Sequence, residues 1–99
     1  VMYLNPSAAV QYSEEFLNTL ELAQIKNNRS CHLALLLHLG FMLERCICKQ
    51  AIVFDNETKY IQQNKSLFDL LKKNISLLST PFDISVNDAE LCYIILRFR

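Results

Sequence analysis

Ninety-nine residues fit one domain, and 52% of them are hydrophobic, 20% charged, with ten Lys and Arg against ten Asp and Glu. That balance excludes a disordered chain, which needs low hydrophobicity and high net charge, and supplies no cationic excess for gripping nucleic-acid phosphates. One Gly and two Pro are too few turn residues for a sandwich or barrel, which leaves an all-α fold, read as a compact bundle of about four or five helices.

Residues 1–12 read as a linker or as an extra turn opened by Asn5-Pro6-Ser7. No basic n-region and apolar h-region of a secretory leader stands at the start, which reads as cut from a longer chain. The first helix is expected over Ser13–Lys26, with Ser13 as cap and Glu14 and Glu15 in the turn where the dipole favours acids. Phe16, Leu20 and Ala23 recur at helical spacing, beside Leu17 and Ile25, and Asn27-Asn28 end the run. A second helix is expected from about Ser30 to Lys49, apolar nearly all round and therefore central. Its apolar heart, Leu33 to Leu43, is about half of the ~20 residues a membrane span needs. The expectation is a core helix in a soluble, cytoplasmic domain that meets no membrane.

Asp55-Asn56-Glu57-Thr58 reads as a polar turn. A third helix follows over about Ser66–Leu78, with Leu67, Leu70, Leu71, Ile75 and Leu78 as its apolar stripe and Lys72-Lys73 on the wet side. Ser79-Thr80-Pro81 is expected to stop it, because Pro biases the preceding residue away from helix. Ile84 and Val86 form an extended lead-in. The last helix opens at Asn87, where Asn87-Asp88-Ala89-Glu90 is capping-box-like, and Leu91, Ile94, Ile95 and Phe98 give its apolar face.

Little in the chain carries catalytic chemistry. Cys31, Cys46, Cys48 and Cys92 form no Cys-x-x-Cys pair, so they read as reduced, structural thiols with no metal. His32 and His38 stand about 120° apart on a helix and cannot chelate one ion together. A His on an apolar helix reads first as a hydrogen-bonded core residue. It is also the side chain whose neutral ring is nucleophilic near neutral pH. Arg45, two turns after His38, shares its face. With Glu44 beside it, Arg45 also fits a helix-to-helix ion pair, and Arg97 fits a cation at a helix C-terminus. No phosphate loop, Gly-x-Ser-x-Gly or His-Glu-x-x-His is present, and nothing local supports a Cys92–His38 nucleophile pair. The chain is not expected to be an enzyme or to need a cofactor.

His38-Leu39-Gly40-Phe41-Met42-Leu43-Glu44-Arg45 resembles the first histidine motif of the PTS regulation domain, His-[apolar]-x-Phe-x-x-Glu-Arg. The segment Ile84 to Leu96 resembles the second motif, in which an acidic residue heads an apolar helix containing Tyr-Ile and is followed seven positions later by a histidine. Here Glu90, Tyr93 and Ile94 match, and the histidine position holds Arg97. The resemblance covers nearly the whole chain, and the missing second histidine is most like the C-terminal copy in enhancer-binding, AAA+ type activators.

The resemblance implies a single regulatory domain over residues 1–99, from a bacterial transcriptional regulator of sugar-utilisation genes. It implies a homodimer, with His38 taking a phosphoryl group from the phosphocarrier HPr or a sugar-specific enzyme IIB. DNA or RNA would be contacted by other domains of the full-length protein. Arg45 and Arg97 would sense the phosphate or hold the helix pair, and Glu90 would cap its helix and partner one of them. The alternative is a degenerate domain that is never phosphorylated and serves only dimerisation and signal coupling.

Overall fold

The side chain of Asn5 accepts a hydrogen bond from the Ala8 N–H at 3.2 Å, and Pro6 takes the first helical position, where no N–H is needed. Helix α1 therefore runs Pro6–Leu20 in this computed structural model, which describes residues 4–98 and, of Gln24, only the backbone. The earlier start corrects the expected boundary: residues 6–12 are the first turns of α1, and Ser13 is buried within the helix and does not cap it. Glu21 then turns left-handed (φ 53), which splits the expected Ser13–Lys26 helix and leaves α2 as the single turn Ala23–Lys26.

Asn28 opens the central helix: its side chain accepts from the Cys31 N–H at 3.1 Å, and α3 spans Arg29–Ile47. Asn56, also left-handed (φ 57), starts α4, Glu57–Gln63, where only a polar turn was expected. The expected Ser66–Leu78 helix is two, α5 (Lys65–Asn74) and α6 (Ser76–Phe82), jointed at Ile75. Pro81 lies inside α6 and does not stop it. In the last turn its missing N–H costs one bond, and the helix ends at left-handed Asp83 (φ 51). Asn87 caps α7, Asp88–Leu96, by accepting from the Glu90 N–H at 3.1 Å. Seven helical segments and no strand are found among the described residues; with α2 a single turn and α5 and α6 joined at one residue, they form the compact all-α bundle expected.

The core lies between α3, α1, α5 and α7. Leu35, Leu39, Met42 and Leu43 of α3 are fully buried against Phe16 and Leu17 of α1, Leu71 of α5 and Leu91, Ile94 and Ile95 of α7, each worth about 1.5–3 kcal/mol in apolar burial. Helix α3 is long and apolar enough to cross a membrane by length and composition alone. Its buried stripe is core, as expected of a central helix packed on several sides, and one side stays open. Leu33, Leu37 and Phe41 face outward and stay 49%, 63% and 52% exposed.

Candidate functional site

Helix α3 contributes His38 and Arg45, and α7, which crosses it, contributes Glu90. Arg45 donates to Glu90 twice, from Nε to Oε2 at 3.1 Å and from Nη2 to Oε1 at 2.7 Å. The carboxylate is nearly buried, 3% exposed, and the guanidinium is 26% exposed. A side-on, two-point pair of this kind fixes both planes. It also explains why the capping box closes only halfway. Asn87 takes the Glu90 N–H, but the Glu90 carboxylate is turned to Arg45 and not back to Asn87. The hydrogen bond to Glu90 holds the Arg45 proton even more firmly than usual. Glu44 does not enter this pair. It is exposed, on the side of α3 that borders a groove with α1.

His38 sits partly exposed beside the pair, and its Nε2 is buried with no hydrogen bond. Burial pushes its pKa below the ordinary 6.5; the Arg97 and Arg45 charges push the same way, and Glu90 opposes them. The ring is therefore neutral at neutral pH. It faces a cavity of about 200 Å³ lined by His38, Arg45, Ile52 and Tyr93. The Tyr93 hydroxyl donates to the Val53 carbonyl at 2.7 Å. Phe54 packs edge-on against Tyr93, with ring centroids 4.9 Å apart, and leans on Tyr60 at 4.8 Å. These contacts hold residues 52–54 as one wall of the cavity. Neither Ile52 nor the Tyr93 hydroxyl was singled out in the sequence. Tyr93 carried a signal, one helical turn after Glu90, whereas the place of Ile52 is set by a loop with no local pattern.

Arg97 is the C-cap of α7 and is exposed. It does not line the cavity, but its charge acts on His38. His32 lies elsewhere, beside Lys26 and Arg29 at a separate cavity of about 340 Å³. Cys92 is fully buried, and burial pushes its thiol up to about 11, as it does that of Cys46. Neither is a thiolate near neutral pH, so a Cys92–His38 nucleophile pair has no chemical footing. All four cysteines are free. What the geometry brings together is a neutral imidazole and one anchored guanidinium, with the exposed Arg97, which forms no ion pair among the described residues, acting on the ring through its charge. Such a set favours an electrophile that arrives carrying negative charge.

A family model, that of the PRD domain, matches residues 10–99. No curated protein and no solved structure matches the chain.

Proposed function

We propose a phosphoryl-accepting regulatory role for this chain, which belongs to the PRD domain family, a family of regulatory and not catalytic domains. The chain is read as the sensor of a bacterial transcriptional regulator of sugar-utilisation genes, working in the cytoplasm on phosphoryl groups from HPr or an enzyme IIB. His38 is the acceptor. A lone pair of its neutral ring forms the new P–N bond as the donor's bond to phosphorus breaks, and the donor departs with that electron pair. The product carries up to about two negative charges, by analogy with other phospho-residues. Arg97 is free to move toward that charge. Arg45 is held by Glu90, and only Nη1 of its three guanidinium nitrogens lies outside the pair. Removing Arg45 from Glu90 would strand a buried carboxylate, at a cost of about 3 kcal/mol. We therefore assign Arg97 the sensing role and Arg45 the fixed one.

The observation that carries this reading is the state of the His38 ring. A structural histidine would be buried and satisfied by hydrogen bonds. This one is partly exposed as a residue and held neutral, and its buried Nε2 has no hydrogen-bond partner among the described residues. With Arg97 where the second motif would hold a histidine, His38 is left as the single acceptor. The test is phosphotransfer from phosphoenolpyruvate through enzyme I, HPr and candidate enzyme IIB proteins, followed by mass. One acid-labile phosphoryl group in wild type and none in His38→Ala is the expected result. A folded domain that gains none from any donor would establish the degenerate, dimerisation-only alternative.

A further inference from the structure

Residues 51–55 join α3 to α4 as a strap with no helix or strand of its own. The turns that bracket it are left-handed without glycine, at Lys49 (φ 57) and Asn56 (φ 57). The first of them closes α3: the Gln50 N–H donates to the Arg45 carbonyl at 2.9 Å, and the Lys49 N–H to the Cys46 carbonyl at 3.1 Å. Between the turns exposure alternates. Ile52 and Phe54 are partly buried, and Ala51, Val53 and Asp55 are exposed. Among the described residues the strap takes part in one hydrogen bond, from the Tyr93 hydroxyl to the Val53 carbonyl at 2.7 Å. We propose that this bond is a latch: a phosphoryl group on His38 draws the Tyr93 hydroxyl away from Val53 and so frees the strap. This rests on the reading of His38 as phosphoryl acceptor and adds what the new charge moves.

Besides His38 itself, the cavity is lined by Arg45, Ile52 and Tyr93. Ile52 has no side-chain donor, so a phosphoryl group there can draw on Arg45 or Tyr93. Both donors are engaged beforehand, and the two engagements differ in what breaking them costs. The Arg45 bonds go to a carboxylate that is 3% exposed and would be left charged and unpaired. The Tyr93 bond goes to a neutral carbonyl at the solvent edge, on a residue 78% exposed, where water replaces the lost donor. In return the hydroxyl meets a charged oxygen, and hydrogen bonds to ionised acceptors are shorter and about twice as strong as neutral ones. The hydroxyl keeps its proton and changes only its acceptor. A modification shifts a conformational equilibrium only through an interaction that differs between the two states. Here that interaction is one hydrogen bond. Gln50 stays tied to Arg45 and Tyr93 stays on α7, so the helices keep their places. The strap alone gives way: Ile52 leaves the cavity wall, and Phe54 keeps only its ring contacts with Tyr60 and Tyr93.

NMR relaxation of the His32→Gln chain tests this, since His38 is then its only histidine. Phosphoramidate supplies the phosphoryl group without a protein donor: the P–N bond to His38 forms as ammonia leaves, and mass shows the single addition. Before modification, residues 51–54 are expected to be ordered, with backbone order parameters of about 0.85; afterwards these should fall below about 0.6 while α3 and α7 stay unchanged. Tyr93→Phe keeps the ring and loses the hydroxyl. Its strap should be mobile from the start, phosphorylation should add no further change, and the phosphorus resonance of the modified His38 should move. Phe54→Leu, which loosens the strap but leaves the hydroxyl, should keep that resonance in place. A strap that stays ordered beside a phosphorylated His38 would overturn the latch and leave the acceptor reading standing. So would a strap that phosphorylation loosens equally with Phe at position 93. A His38 that takes no phosphoryl group from phosphoramidate would overturn the acceptor reading, and the latch with it.

Discussion

The two long sides of α3 meet their surroundings in opposite ways. Toward α7, the charges of the helix crossing are matched within the chain. Glu90 is buried and held at two points by Arg45, and the neighbouring wall is fastened through Tyr93 and Val53. Outward, Leu33, Leu37 and Phe41 stand uncovered, with a glycine whose absent side chain makes room for nothing inside the chain. One helix thus carries a finished contact and an open one. His38 lies between them, about 100° from Leu37 round the helix and on the same side as Arg45. A charge added at His38 is placed to act on both sides.

Breaking the finished side should have the largest effect. Arg45→Ala strands the buried Glu90 carboxylate and is expected to lower stability by about 3 kcal/mol, read as a drop in denaturant midpoint at unchanged slope. The partner change Glu90→Gln should cost less, because it removes the charge along with the pair. If Arg45→Ala left stability unaltered, the pair would be ornamental and the division between the two sides would fail. Next in size, Tyr93→Phe deletes the hydroxyl that reaches the Val53 carbonyl. It should cost about 0.5–1 kcal/mol and speed amide exchange across residues 50–54 while α3 stays protected.

The smallest effect is that of proton uptake. His38 binds its proton less readily in the folded chain than at its ordinary value of 6.5. The unfolded chain therefore protonates first, and stability falls as pH drops below 6.5, levelling off once the lowered folded-state value is passed. His38→Gln should flatten that part of the pH–stability curve. An unchanged slope would mean that the ring is not held neutral by its surroundings.

The features legible in the sequence are those made by a residue and its near neighbours. Asn87 reads as a cap because its side chain needs only the Glu90 N–H three positions on. The acidic head of α7 and the face shared by His38 and Arg45 follow from spacing alone. The Arg45–Glu90 pair spans 45 positions, and only the crossing of two helices decides it. Glu44, adjacent to Arg45 in sequence, drew an ion-pair reading that the crossing gives to Glu90. Ser13-Glu14-Glu15 has the chemistry of a helix start, but Asn5 and Pro6 begin the helix earlier and leave Ser13 inside. The left-handed turns at Glu21 and Asp83 carry no glycine to announce them. Pro81 reads as a stop, yet the last turn of a helix tolerates the single bond it removes.

The distant partnership of Arg45 with Glu90 also governs how the chain comes into being. During synthesis, α3 is complete well before residue 90 is added, an interval of a few seconds at ordinary ribosomal rates. Through that interval the inner stripe of α3 has no α7 to cover it, and its outer face is bare as well. Helix α1 likewise waits for α5 and α6. The nascent helix therefore keeps its outer face and the part of its inner stripe that α1 does not cover open to solvent until α7 emerges and docks.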